Sequence, residues 1–84
     1  MQFIKPYYMD NQTKIHVFKT NLETEDGIRA VSDTLNQHPG IICWNVDHWD
    51  VDNVLRVETD QTFSPDSIIE MIRNEGFSCD ELPD

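Results

Sequence analysis

Positive charge is what this chain has least of. Six Lys and Arg stand against sixteen Asp and Glu, a formal net charge of −10 with His neutral. Gripping a nucleic-acid backbone requires clustered cations that release counterions from phosphate, and six scattered ones form no such patch. The same deficit argues against adhesion to an anionic membrane surface. Long apolar runs are also missing. No run exceeds Ile41-Ile42-Cys43-Trp44, whereas a membrane-spanning helix needs about 20 apolar residues. Met1 to Met9 lacks the apolar stretch of a secretory signal, being interrupted by Lys5 and Pro6. Cysteine is down to Cys43 and Cys79, which make no disulfide framework, so a reducing cytoplasm is the expected compartment. Three glycines leave no material for a phosphate-cradling loop.

What is present is a short chain with periodic apolar blocks. Eighty-four residues allow one domain. A chain of this size buries only about 60% of its unfolded surface, so its core is small. Ile15 to Phe18 is rich in β-branched and aromatic residues and reads as a strand running through Lys14–Leu22. Ile28, Val31 and Leu35 recur at spacings of three and four, one stripe of a helix with Thr24 as its N-cap. Glu25 and Asp26 complement the positive end of that helix dipole. His38-Pro39-Gly40 ends it. Ile41–Asp47 is expected as a strand with Ile42, Trp44 and Val46 on one face. Val54–Thr59 follows as its antiparallel partner, with Leu55 and Val57 inward. Ser64-Pro65-Asp66 starts a second helix, whose buried face is Ile68, Ile69 and Ile72, with Met71 at its margin. Gly76 closes it in a left-handed conformation, and Phe77–Leu82 is the expected last strand.

The order β-α-β-β-α-β predicts an α+β, ferredoxin-like fold: a four-stranded antiparallel sheet of order 4-1-3-2 with both helices on one face. Residues 1–13 fall outside the pattern, as an N-terminal arm or added edge segment, with Met9 a second candidate start. Residues 14–84 form the domain.

These residues also carry a resemblance. Phe18-Lys19-Thr20-Asn21-Leu22 with Gly27-Ile28, Val31 and Leu35 is similar to the opening of a heavy-metal-associated domain. Pro39-Gly40-Ile41, Trp44-Asn45-Val46-Asp47, Asp52-Asn53-Val54-Leu55-Arg56-Val57 and the closing Glu75-Gly76-Phe77 extend the match across nearly the whole chain after the arm. The resemblance is strongest to small copper-chaperone-like members. It implies a Cys-x-x-Cys between the first strand and the first helix, where two thiolates converge on one soft ion. Aligned on Asn21, Ile28 and Leu35, those positions hold Thr24 and Gly27, and neither is a soft ligand. The chain is therefore read as a degenerate member with no metal site and no cofactor at that loop.

Other ligands are scattered. Cys43 and Cys79 are expected on opposite edges of the sheet, about 14 Å apart, beyond disulfide reach, and are read as small semi-buried hydrophobes. A minor alternative gives Cys79 an intermolecular role. His16, His38 and His48 lack metal-ligand spacing. His38 suits a helix C-terminus, and His48 with Asp47 and Asp50 is the one composite grouping on offer. No nucleophile lies beside a base, and the acids are spread over surface positions, so catalysis is not expected. Trp44 is expected to pack in the core, and Trp49 to be exposed in the acidic hairpin. The resemblance implies docking through the loop region, which here bears Glu23, Glu25 and Asp26. Those acids and Trp49 are the candidate interaction residues, and a basic protein is the matching partner. A protein-interaction or regulatory module is the leading reading. Metal binding or transport through a non-standard site is the alternative, and the oligomeric state is left open.

Overall fold

The computed structural model describes residues 13–47, 49 and 51–82. The N-terminal arm, apart from Thr13, therefore lies outside the described residues. Four strands and two helices follow the expected order: β1 (Thr13–Thr20), α1 (Glu25–Gln37), β2 (Ile41–Asp47), β3 (Val54–Asp60), α2 (Pro65–Asn74) and β4 (Cys79–Glu81). The sheet runs β2-β3-β1-β4, and every pairing is antiparallel. This is the ferredoxin-like arrangement the pattern predicts.

Local chemistry sets the helix limits. The Thr24 hydroxyl accepts from Gly27 N at 3.1 Å, satisfying one of the orphan amides of α1. Ser64 does the same for α2, accepting from Asp66 N at 3.2 Å, with Pro65 in the first turn where its missing N–H costs nothing. Gly76 sits at φ +97°, a region that side chains disfavour, and its N–H donates to Arg73 O at 2.9 Å.

The core lies between the helices and one face of the sheet. Phe18, Leu22, Val31, Leu35, Leu55, Val57, Ile68 and Ile72 are wholly buried there. Each such side chain contributes about 1.5–3 kcal/mol through removal from water. Ile28, Ile69, Met71 and Trp44 pack at its margin, half-buried. Trp44 donates from its indole nitrogen to Asn36 Oδ1 at 2.8 Å, so its polar edge stays satisfied.

Two expectations need correction. Ile42 does not share a face with Trp44 and Val46. Ile41 pairs with Thr59 and Cys43 with Glu58, so Ile42 is the extra residue of a β-bulge. The bulge shifts the parity of the strand. Ile41, Trp44 and Val46 pack against the core, while Ile42 is 53% exposed. The last strand is also shorter than expected. Phe77 precedes it in a loop, its N–H donating to Ile72 O at 3.2 Å, and pairing with β1 starts at Cys79.

Candidate functional site

The β1–α1 loop is held by hydrogen bonds that run to two other loops. Thr20 N donates to Asp52 O at 3.0 Å, and the Thr20 hydroxyl donates to Asn53 O at 2.7 Å while accepting from Leu22 N. Asn21 Oδ1 accepts from Ser78 N at 2.9 Å. Three segments are thereby gathered at one end of the molecule: the β1–α1 loop, the β2–β3 hairpin and the α2–β4 loop. Asn53 adopts φ +45° at the hairpin, a left-handed conformation that asparagine tolerates better than most residues.

Thr24 and Gly27 both lie at this end. Thr24 is exposed, but its hydroxyl is committed to the cap of α1. Gly27 is buried, and a Cβ built on it would stand 3.1 and 3.3 Å from the Phe77 ring. Phe77 thus lies over the position where the resemblance expects a thiolate. Sequence reading missed this contact, although a glycine in a first helical turn was a hint of close approach. Glu23, Glu25 and Asp26 surround the pair and are all exposed. Asp26 meets Arg29 at 3.8 Å in an exposed i,i+3 pair.

At the neighbouring hairpin, Trp49 is 97% exposed and Val51 93%. Trp49 N donates to Asp47 Oδ1 at 3.0 Å. The structure brings Trp49 to the same end as the acids and adds Val51, which sequence reading had not singled out.

The remaining candidates are dispersed. Cys43 and Cys79 are free thiols on opposite edge strands. Cys43 is exposed rather than semi-buried, and its thiol donates to Glu58 Oε1 at 3.4 Å. Burial and then the adjoining Glu58 carboxylate raise its pKa. Cys79 is wholly buried, and burial pushes its thiol up to about 12. An intermolecular role for Cys79 is therefore not supported: the thiolate that such chemistry needs is suppressed and inaccessible. His16 is buried on β1 with Nε2 3.0 Å from Thr59 Oγ1. The Thr59 hydroxyl donates to Asp60 O, so it accepts from His16 Nε2–H. His38 caps α1, accepts from Gly40 N on Nδ1 and sets its ring edge-on to Phe63. His48 and Asp50, two members of the composite grouping, lie outside the described residues. Among the described residues, no three His, Cys, Asp or Glu side chains converge on a metal-sized site.

No protein-family model and no curated protein matches this sequence. Solved structures do match. The yeast copper transporter domain superposes with a TM-score of 0.72 at 22% identity, over 84% of this chain and 97% of that one. The same domain in a copper(I) complex with a second protein gives 0.70 at 22% identity, over 83% and 96%. The first domain of the human copper chaperone for SOD1, copper(I)-loaded, gives 0.69 at 16% identity, over 82% and 92%. The class that emerges is a ferredoxin-like α+β domain with a β1–α1 loop exposed at one end. More particularly, the chain has the fold of copper-chaperone and copper-transporter domains of the heavy-metal-associated type. No helix among the described residues is long and apolar enough to cross a membrane.

Proposed function

We propose that this chain is a non-catalytic docking module of metallochaperone fold that works in the reducing cytoplasm. It engages a basic protein partner through Glu23, Glu25, Asp26 and the neighbouring Trp49. One observation carries the reading. The two positions where the resemblance expects thiolates are occupied by a helix cap at Thr24 and a glycine beneath Phe77, while exposed acids ring them. Threonine and glycine supply no thiolate, so soft-ion transfer has no first ligand there. The acids, by contrast, are exposed to meet a cation-rich surface, with Asp26 also in an exposed pair with Arg29. They sit at the positive end of α1, where the helix dipole stabilises them. A protein partner is on record for the yeast domain that shares this fold.

A chain of net charge −10 steers a basic partner quickly at low salt and holds it less well as salt rises. The test is recovery of partners from the source cell, wild type against Glu25→Lys plus Asp26→Lys. Partners lost from the double variant, and lost from wild type as salt is raised, support the reading. A double variant that keeps every partner removes the loop from the interface. Anaerobic titration with Cu(I) against a soft-metal chelator tests the other half. A stoichiometric complex that survives competition would restore metal handling as the function.

A further inference from the structure

The sheet ends in β4 on one side and β2 on the other, and among the described residues nothing pairs with β2 beyond β3. An edge strand offers unpaired N–H and C=O groups to any further strand, and proteins blunt such edges by shortness, charge, proline or a bulge. β4 is guarded, being three residues long with two acids among them. β2 is seven residues long, and Ile41–Val46 contains neither a charge nor a proline. Its bulge at Ile42 leaves Cys43–Asp47 regular, a stretch centred on Asn45. No residue of β2 is buried, and Trp44 and Val46, which pack against the core, are still half-exposed. The direction of its backbone groups follows from the rest of the sheet. Leu82 N donates to Val17 O at 2.8 Å, so Val17 turns its peptide groups towards β4. Those groups alternate from side to side along a strand. His16 and Phe18 therefore face β3, and through the register Val57 and Leu55 face β1. Arg56 and Glu58 are left to face β2, where they meet Asn45 and Cys43. Trp44 and Val46 consequently turn their N–H and C=O groups to the free edge.

We propose that this edge pairs antiparallel with β2 of a second copy of the chain, about a two-fold axis at Asn45. In that register Trp44 of each copy stands opposite Val46 of the other, and each such pair exchanges both of its backbone hydrogen bonds. Every edge-facing group of the two residues is thereby met. On the helix side of the seam the register sets an aromatic ring beside a β-branched side chain, twice by symmetry, a favoured cross-strand pair. On the other side Asn45 meets its own copy, amide to amide. Asp47 falls opposite Cys43, so the two Asp47 carboxylates stand about 13 Å apart along the seam. Asp47 also lies 3.9 Å from Arg56 of its own chain. The uncharged run matters because each copy carries −10, and acids at the seam would repel at closest range. The repulsion that remains acts over a distance and is screened by salt, so the dimer tightens as salt rises. Docking of a basic partner through Glu23, Glu25 and Asp26 responds to salt with the opposite sign, so the two associations are separable.

The experiment is sedimentation equilibrium of the reduced full chain over a concentration series at low and high NaCl, with amide exchange read on the same samples. A monomer–dimer equilibrium is expected, with Kd falling at least about fivefold between about 20 mM and about 300 mM NaCl. The Trp44 and Val46 amides should gain protection as concentration rises, whereas the Asn45 amide, already bonded to β3, should change little. Asn45→Lys puts on the dyad the charge that natural edge strands use as a guard. It should raise Kd at least about tenfold although it lowers the net charge, which by itself would favour association. Val46→Pro removes an edge-facing N–H and should abolish the dimer, and Asn45→Lys decides the matter if the proline variant does not fold. A chain that stays monomeric up to about 1 mM at high salt overturns the proposal. A dimer that Asn45→Lys leaves unchanged overturns it in favour of another face, as does a dimer that loosens with salt. Trp44 and Val46 amides equally protected at every concentration also overturn it, because the edge is then covered from within one chain.

Discussion

Thr24 holds the first turn of α1 with one hydroxyl, and that role competes with the ligand role the resemblance implies for the position. Thr24→Ala should cost about 1 kcal/mol in chemical denaturation, the usual worth of an N-cap. Thr24→Cys with Gly27→Cys should gain Cu(I) binding that survives chelator competition, since two thiolates would then flank one loop. It should also lose stability, because the cap is gone and the new Cβ at position 27 must push Phe77 aside by a few tenths of an ångström. A double variant that folds yet binds no Cu(I) would show that the loop geometry, and not only its residue types, has diverged.

His16 gives the residue scale its pH dependence. Burial lowers its pKa below 6.5; the Glu81 carboxylate pulls upward less strongly, and Lys14 adds a further downward push. The unfolded chain takes up that proton near pH 6.5, whereas the folded one resists. Stability from this group is therefore complete above pH 6.5 and falls as pH drops from there towards the folded value. Urea midpoints should decline across that window, and His16→Gln should flatten the decline. Asp60 acts in a separate, lower range. The Thr62 hydroxyl holds its carboxyl below the ordinary value, so its contribution is lost only at more acid pH.

At the scale of the element, β2 is where pattern and structure part. An exposed Ile42 contributes little to folding, so Ile42→Thr should stay within about 0.5 kcal/mol of wild type. Leu55→Ala, in the buried centre of β3, should cost about 2–5 kcal/mol through lost burial and a residual cavity. Equal losses at the two sites would place Ile42 in the core and remove the bulge. The end of α2 offers a cleaner case. Nothing lies within 4 Å of a Cβ built on Gly76, so Gly76→Ala meets only backbone strain at φ +97°. A loss of about 1–2 kcal/mol is expected from thermal denaturation.

At the scale of the whole molecule, charge dominates. The ion pairs Lys19–Asp52, Arg29–Asp26, Arg56–Asp47 and Arg73–Asp80 all lie at the surface. Pairs of this kind contribute about 0–1 kcal/mol each, so little is lost when salt screens them. Self-repulsion of a −10 chain is spread over every acid and is screened at the same time. The Tm should therefore rise by a few degrees between about 10 mM and about 200 mM NaCl, where the Debye length contracts from about 30 Å to under 10 Å. A falling Tm would mean that the ion pairs outweigh the repulsion.

The amino-acid sequence alone determined what depends on neighbours along the chain. Thr24 and Ser64 name their helix starts because a cap reaches only two or three residues ahead, and Gly76 names a helix end for the same reason. Element order and strand order followed from the apolar periods, since few topologies bury those stripes. Thr24 and Gly27 were singled out without any coordinates, as the positions where the resemblance expects a Cys-x-x-Cys. Tertiary structure decided what depends on residues far apart in the chain. Phe77 lies over Gly27 from fifty positions away, and His16 pairs with Thr59 across the sheet. Thr20 draws the Trp49 and Val51 hairpin to the end that bears the acids. The bulge at Ile42 depends on how β2 meets β3, and one extra residue there exchanges inside for outside. Periodicity along one strand carries no record of that pairing, because register is a property of two strands together.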